Sequence, residues 1–113
     1  MLRIPTNRPP VHPGEILREE FLEPMGLSQV ELADRLSIPF QRVNMIVREK
    51  RAVTPDTALR LSKLFGTTVD FWMNLQLACD VYEAEHSPEA RGIQKIEKLH
   101  LAAHGSRARA GAP

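Results

Sequence analysis

The chain has 113 residues and a mass of 12.8 kDa, enough for one compact domain with flanking tails but hardly for a second independent core. Its net charge is only +1, yet counting Lys and Arg against Asp and Glu gives +5 for residues 35–63 and −5 for each flank, 14–34 and 70–89, so a polyanion would bind the central segment. The single Cys79 excludes an intramolecular disulfide, and no stretch has the apolar length of a signal peptide or membrane span, which favours a reducing cytoplasm.

The N-terminal part is predicted as an extended arm followed by one helix. Prolines are frequent in residues 1–11 and cannot sustain a helix, so this range reads as an arm. From Pro13 the apolar residues recur at helical spacing until Pro24 and Gly26 stop the pattern.

Two short helices with a very tight turn between them follow. Ser28 is a good N-cap, and Glu31 stands three residues later as its capping-box partner. The apolar stripe of this second helix ends at Leu36. Only two residues separate Leu36 from Pro39, which is a favourable first residue for the third helix.

Two further helices complete the predicted domain. Thr54 and Pro55 repeat the cap-then-proline start of a fourth helix that ends at Gly66, and Thr68 caps a longer fifth helix. Five helices with short connections and no alternating strand pattern indicate an all-α domain over residues 12–86. Residues 87–113 are predicted as a partly disordered extension with a marginal helix and a basic tail.

The third helix has two chemically different sides. On a helical wheel Val43, Ile46 and Val47 share one side, and the opposite side carries a polar row: Gln41, Asn44, Met45 and Arg48. Alone, this pattern is typical of an ordinary amphipathic helix with a solvated face. A capped helix, a tight turn and a second short helix are instead the helix-turn-helix arrangement, whose second helix enters the DNA major groove.

The residue types on and beside the polar row suit base recognition. Gln41 and Asn44 can donate to and accept from adenine together, Arg42 matches guanine, and Met45 suits a thymine methyl group. These four are the predicted base contacts.

Phosphate contacts are predicted on both sides of that row. Ser28 and Gln29 lie at a helix N-terminus, where free amides attract a phosphate. Arg48, Lys50 and Arg51 follow the third helix and would bind phosphates without reading sequence.

The stretch "LSQVELADRLSIPFQRVNMIVREKRAVTPDTALRLSKLFG", residues 27–66, resembles the Cro and phage-repressor type of helix-turn-helix domain. Its flanks, in "HPGEILREEFLEPMGLSQVELA" and "TPDTALRLSKLFGTTVDFWMNLQ", are similar to the HigA-type antitoxins, addiction-module antidotes related to the virulence-associated protein I group. The resemblance covers about residues 12–86. It implies a compact five-helix Cro/repressor-like fold, base contacts at Gln41 and Asn44 with Arg42 at the groove edge, and backbone contacts at Ser28 and Gln29.

The same resemblance implies partners. An antitoxin of this type forms a homodimer that represses its own operon at palindromic double-stranded operator DNA and neutralises a HigB-type toxin, an mRNA-cleaving ribonuclease. A stand-alone helix-turn-helix regulator without a toxin is the alternative, and a neighbouring gene, not this sequence, separates the two. The sequence departs from the family at Glu49, where a glycine is common, so the third helix is expected to run longer with a differently shaped exit loop.

The fifth helix is apolar on two sides and therefore needs two partners. One candidate is a second subunit on the stripe of Met73, Leu77 and Val81. The other candidate is the segment of residues 93–101, which would fold back and cover that stripe.

A metal or thiol enzyme is the rival of a different class. Cys79 and four scattered histidines offer no ligand or nucleophile spacing, so no catalytic residue, metal or cofactor is expected. Acidic side chains have another possible use, because a toxin that handles RNA should be basic. The candidate docking surfaces are the acidic face at residues 15–23 and the run Asp80, Glu83 and Glu85.

Overall fold

A computed structural model describes residues 9–100 and, within that range, contains helices and no strand. In chain order the elements are α1 (Pro13–Ile16), a π-helical segment (Leu17–Leu22), α2 (Glu23–Met25), α3 (Gln29–Leu36), α4 (Phe40–Val47), α5 (Pro55–Phe65), α6 (Val69–Glu85) and α7 (Ala90–Gln94). The predicted all-α class is confirmed. Most of the predicted arm, through residue 8, and the basic tail from residue 101 lie outside the described residues. None of the helices between residues 9 and 100 combines the length and apolar character needed to cross a bilayer.

The first predicted helix forms as α1, the π-helical segment and α2 in direct succession. In the wider π turns the Glu23 amide donates to the carbonyl of Arg18, five residues earlier. A proline in an α-helical register would crowd the carbonyl four residues before it, and the π register precedes Pro24. The helix therefore continues through Pro24 and ends only at Gly26, whose φ is 61°.

The capping signals of the sequence are present as hydrogen bonds. Ser28 Oγ accepts from the Glu31 amide at 3.0 Å, and the Glu31 carboxylate accepts from the Ser28 amide at 2.9 Å. The hydrogen bond from the Ser28 amide is the main cause that holds the pKa of the Glu31 carboxyl below its ordinary value, and the Ser28 side chain lowers it further. The predicted capping box is confirmed, and Thr54 and Thr68 likewise accept from Thr57 and Phe71 amides.

The tight turn between α3 and α4 depends on one left-handed residue. Ser37 has φ 58°, its amide donates to the Asp34 carbonyl at 3.1 Å, and the Ile38 amide donates to the Ala33 carbonyl at 3.1 Å. This pair of bonds closes the helix end and turns the chain into Pro39. Pro39 is the N-cap of α4 and Phe40 its first residue, one position later than predicted.

The chain leaves α4 through the same pattern of two backbone hydrogen bonds, but a glutamate occupies the left-handed position. The Lys50 amide donates to the Met45 carbonyl at 2.8 Å, and the Glu49 amide donates to the Ile46 carbonyl at 2.9 Å. Glu49 has φ 62°, the left-handed conformation that favours glycine. The expectation of a longer helix is therefore wrong: α4 ends at Val47, because Glu49 adopts the backbone conformation that a glycine would supply.

Glu49→Gly should stabilise the protein by about 0.5–1 kcal/mol, because relief of the left-handed strain exceeds the entropy that glycine adds to the unfolded chain. Urea denaturation of both proteins measures the difference. Glu49→Ala is the matched control, since it removes the same charge but keeps the Cβ atom. An equal gain from both substitutions would contradict backbone strain as the cause.

One apolar core unites the elements from α1 to α6. Its buried residues come from the π-helical segment, α3, α4, α5, α6 and the loops on either side of α4, whereas α1, α2 and α7 contribute none. The core consists of Leu17, Leu22, Leu32, Ala33, Leu36, Ile38, Val43, Ile46, Val47, Val53, Ala58, Leu61 and Trp72.

The buried positions of α6 lie outside the predicted stripe of Met73, Leu77 and Val81. Trp72 and Gln76 are buried, and Trp72 Nε1 donates to Thr67 Oγ1 at 2.7 Å. Gln76 Oε1 accepts from the Val53 amide at 2.9 Å, and its Nε2 donates to Asp80 at 3.0 Å. Gln76 thereby ties α6 to the loop that leaves α4.

Candidate nucleic-acid interface

Helix α4 presents a polar side outward and an apolar side to the core, as predicted. Val43, Ile46 and Val47 are buried, whereas Gln41 and Met45 are exposed. The 37% exposure of the Met45 side chain leaves a large apolar group beside the polar ones, as contact with a thymine methyl would require.

The first helix holds α4 from behind at very close range. A Cβ atom added to Gly14 would lie 1.8 Å from the Ile46 carbonyl oxygen, so only glycine allows the two backbones to approach this closely. His12 Nδ1 accepts from the Gly14 amide at 2.9 Å and caps the first turn. Arg18 NH1 also donates to the Val47 carbonyl at 3.4 Å, at the last turn of α4.

This contact explains the opening of the domain, "HPGE", in physical terms. His12 supplies the cap, Pro13 the fixed φ of a first helical residue, and Gly14 the missing side chain. The motif is recognisable in the sequence by resemblance, but no local pattern indicates that Gly14 contacts another helix. Only the helix that packs on it reveals its role.

Two predicted DNA contacts are joined to each other. Asn44 Nδ2 donates to Gln29 Oε1 at 3.0 Å, which connects α4 to the first residue of α3. Asn44 Oδ1 and Gln29 Nε2 remain as one acceptor and one donor for a nucleic acid. The pair thus presents a combined acceptor and donor from both helices of the motif.

Ser28 is placed at the α3 N-terminus, but its polar groups are engaged in the capping box. Its hydroxyl hydrogen is still a possible donor. The amides of Gln29 and Val30 in the first turn have no intrahelical acceptor, as in any helix, and they carry the positive end of the helix dipole. A phosphate at this end would therefore be bound mainly by backbone amides.

Arg42 is positioned by an acidic residue that the sequence did not single out. Arg42 NH1 lies 3.3 Å from Asp56 Oδ2, and Arg60 Nε lies 3.0 Å from the same oxygen. Arg60 NH1 donates to the Leu36 carbonyl at 2.8 Å, at the end of α3. This network connects α3, α4 and α5 around the predicted groove-edge arginine.

The charge of Asp56 persists well below neutral pH. Its hydrogen bond from Arg60 is the main cause that holds the pKa of the carboxyl below its ordinary value, with Arg42 contributing further. Because the folded-state pKa is lowered, the pairing is complete above the ordinary carboxyl pKa and is lost as pH falls through the lowered value. The network is thus intact throughout the neutral range.

Three predicted phosphate contacts, Arg48, Lys50 and Arg51, are exposed at the exit from α4. In the chain between residues 9 and 100 none of them takes part in an ion pair. Glu49 stands among them and reduces the local positive charge.

The thiol and histidines do not assemble a catalytic or metal centre in the part of the chain that is described. Residues 9–100 contain no group of three His, Cys, Asp or Glu side chains able to hold a metal ion. Cys79 Sγ contacts the Val11 carbonyl at 3.5 Å, and burial raises the pKa of the thiol, which opposes formation of a nucleophilic thiolate. His12 is occupied as a helix cap.

The three residues of the predicted dimer stripe differ in their exposure to solvent. Leu77 is 58% exposed and Val81 46% exposed, whereas Met73 packs against the core. Helix α7 lies beside the end of α6 near Val81, but Ile96 and Leu99 remain 74% and 81% exposed. Up to residue 100, therefore, the chain does not fold back over Leu77.

Sequence comparison identifies relatives over most of the chain. A model of the helix-turn-helix family matches residues 18–72. Virulence-associated protein I of Dichelobacter nodosus is 51% identical over 75% of this chain and 79% of its own length. Antitoxin HigA-1 of Vibrio cholerae is 35% identical over 80% of this chain and 88% of its own length.

Solved structures of similar proteins include complexes with DNA. The Pseudomonas aeruginosa antitoxin HigA with the higBA promoter has a TM-score of 0.75 and 42% identity, covering 80% of this chain and 99% of that one. Antitoxin GraA in complex with its operator has a TM-score of 0.76 and 42% identity, covering 88% of this chain and 100% of that one. Both of these relatives are antitoxins solved together with DNA.

Proposed function

We propose a function from the premise that this chain belongs to the HigA-type antitoxin family of helix-turn-helix proteins. It is a DNA-binding antitoxin and transcription regulator. In the proposed function it acts as a homodimer on a palindromic operator, represses its own operon, and neutralises a HigB-type ribonuclease toxin by direct binding.

The observation that carries the DNA-binding role is the rigid outward presentation of the polar side of α4. Its apolar side is buried, Gly14 contacts its backbone, and Gln76 fixes the loop that follows it. A recognition helix held this firmly can enter the major groove without reorganising, which limits the entropy that binding costs.

The side chains then divide into two kinds of contact. Gln41 and Met45, with the free groups of Asn44, face bases, and Arg42 reaches the groove edge from its pairing with Asp56. Phosphates are bound by the α3 N-terminus at Ser28 and Gln29 and by three cations, which are Arg48, Lys50 and Arg51.

Gln41→Ala should weaken binding to the cognate operator by about 1–3 kcal/mol and leave random DNA almost unaffected, because it removes a base contact. Lys50→Ala should weaken both DNAs alike and reduce the slope of log K against log salt by about one unit, because it removes a phosphate contact. Fluorescence anisotropy with labelled duplexes at several salt concentrations measures both effects.

Lys95→Ala is the control for loss of one positive charge, since Lys95 is exposed beyond α7 and away from the motif. It should leave the salt slope unchanged. Equal losses on cognate and random DNA for Gln41→Ala would contradict the base-contact assignment.

The homodimer is supported by the exposed apolar residues Leu77 and Val81 on α6. Single helix-turn-helix units read few bases, whereas paired units about 34 Å apart read a palindrome. The Met73 side chain is already packed on the core, so in this proposal it supports the interface from beneath.

Toxin neutralisation is supported by the relatives named as antitoxins. Co-expression with the product of an adjacent reading frame for a small basic protein tests it. Relief of growth arrest together with a stable purified complex would support the antitoxin role. Absence of both would leave a stand-alone regulator.

A further inference from the structure

An open groove lies between the segment that precedes α1 and one side of α6. Its volume is about 1020 Å³. Its apolar lining comes from Pro9, Pro10, Val11, Phe71, Leu75 and Ala78. Val11 and Phe71 are 44% and 40% exposed, so apolar surface is available there. This groove is distinct from the polar side of α4.

Two carboxylates lie at the edge of the groove. Glu15 of α1 and Glu49 of the α4 exit line it directly. Cys79 contacts the Val11 carbonyl beside the groove. Burial is the main cause that raises the pKa of this thiol, and the negative charges of Asp80, Glu83 and Glu49 raise it further. The groove is therefore apolar inside and acidic where Glu15 and Glu49 line its edge, with Arg48, Lys50 and Arg51 adjacent to Glu49 in the chain.

We propose that this groove, bounded by residues 9–12 and α6, is the docking site for a basic segment of the ribonuclease toxin that also carries apolar side chains. The inference rests on the proposed antitoxin function. A protein that handles RNA needs cationic surface to contact phosphates. Such a surface complements the acidic edge of the groove, and its apolar side chains would fill the interior.

The charge of the groove disfavours the two other macromolecules in the proposed function. Operator DNA is a polyanion, and the two carboxylates that line the groove, Glu15 and Glu49, do not attract it, whereas Arg48, Lys50 and Arg51 next to Glu49 are the residues proposed to bind its phosphates. A second copy of this chain in a two-fold dimer would bring the same acidic patch to both sides of the interface, which offers no opposite charge to Glu15 and Glu49. The dimer surface at Leu77 and Val81 lies on another side of α6.

Two exposed alanines of α6 provide a matched pair of variants. Ala78 lines the proposed docking groove, and Ala84 lines a smaller groove between α6 and α7. Arginine has a high helix propensity, so Ala78→Arg and Ala84→Arg should both fold. Each places the same bulky cation in a different groove.

Isothermal titration of the full chain with the purified toxin measures the effect. Ala78→Arg should lower toxin affinity by about 100-fold or more, because the arginine fills the groove and repels a basic segment. Ala84→Arg should keep wild-type toxin affinity. Ala78→Arg should also keep operator affinity and the dimeric mass, measured by anisotropy and light scattering.

The acidic edge is tested by Glu15→Gln. This change should slow toxin association several-fold at low salt and reduce its dependence on ionic strength, because it removes steering charge. An association rate and salt dependence equal to those of the wild type would contradict charge complementarity.

The outcomes distinguish failure of toxin neutralisation from failure of the proposed docking groove. A wild-type chain that fails to bind the toxin refutes toxin neutralisation itself. A wild-type chain that binds, together with Ala78→Arg binding equally well, refutes only the groove. Conversion of Ala78→Arg to a monomer would identify a second copy as the occupant and overturn the proposal.

Discussion

Gly14→Ala is expected to destabilise the protein by about 3 kcal/mol or more, at or beyond the upper end for overpacking, because the new methyl group meets backbone and not a movable side chain. The Cβ atom would lie 1.8 Å from the Ile46 carbonyl oxygen and 2.8 Å from the Ile46 carbonyl carbon. Either α1 or α4 must shift to relieve this contact. Urea denaturation followed by circular dichroism measures the loss.

Gly92→Ala is the matched control for this substitution. Gly92 lies in α7, and a Cβ atom there meets nothing within 4 Å. The change should be neutral or stabilise by less than about 1 kcal/mol, as alanine favours helix. If Gly14→Ala showed a similar small effect, the close approach of α1 to α4 would be refuted.

The effect of Gly14→Ala should extend to operator affinity. Displacement of α4 by even about 1 Å misaligns groups that must match base edges, whereas phosphate contacts tolerate more movement. The folded fraction should therefore lose cognate affinity more than random-DNA affinity.

Trp72→Ala is expected to cost about 3–5 kcal/mol, the range for removal of a fully buried large aromatic side chain. Trp72 has 0% exposure, and the centroid of its ring lies 5.3 Å from the Phe21 ring centroid and 5.0 Å from the Phe71 ring centroid. Its Nε1 hydrogen bond to Thr67 would also be lost. The same denaturation experiment measures the change.

Leu59→Ala serves as the control, because Leu59 lies on α5 and is 58% exposed. It should change stability by no more than about 0.5 kcal/mol. Trp72→Phe should retain part of the packing and fall between wild type and Trp72→Ala. A ranking with Leu59→Ala as the more destabilising variant would contradict the assigned core.

Helix boundaries could be predicted well where the signal is local. The capping residues bond to groups only a few positions away, so their spacing in the sequence already determines the hydrogen bonds that they make. They are Ser28 with Glu31, Thr54, Thr68 and Gly66. The apolar side of α4 was equally accessible, since Val43, Ile46 and Val47 recur at helical spacing.

The inward side of α6 could not be predicted in the same way. Apolar residues occur all around this helix, so periodicity does not distinguish the buried side. Gln76 is buried because it satisfies the Val53 amide, 23 residues away in sequence. Such a partner appears only when the fold brings the two segments together.

Pairing between side chains was the least predictable part of the candidate site. Gln29 and Asn44 were each predicted to contact DNA, but their mutual hydrogen bond spans 15 positions. Asp56 has no sequence pattern that marks it, although it pairs with Arg42 in the structure. These contacts depend on the crossing geometry of the helices, which no local pattern encodes.

The attachment of α4 has an evolutionary consequence. Its backbone is held by Gly14, Arg18 and the core, while Gln41 and Met45 take no part in that packing. Replacing these two side chains would change the preferred DNA sequence at little cost in stability. Duplicated copies of such a gene could thus diverge to separate operators within one genome, and crosstalk between them would be removed by a few surface substitutions.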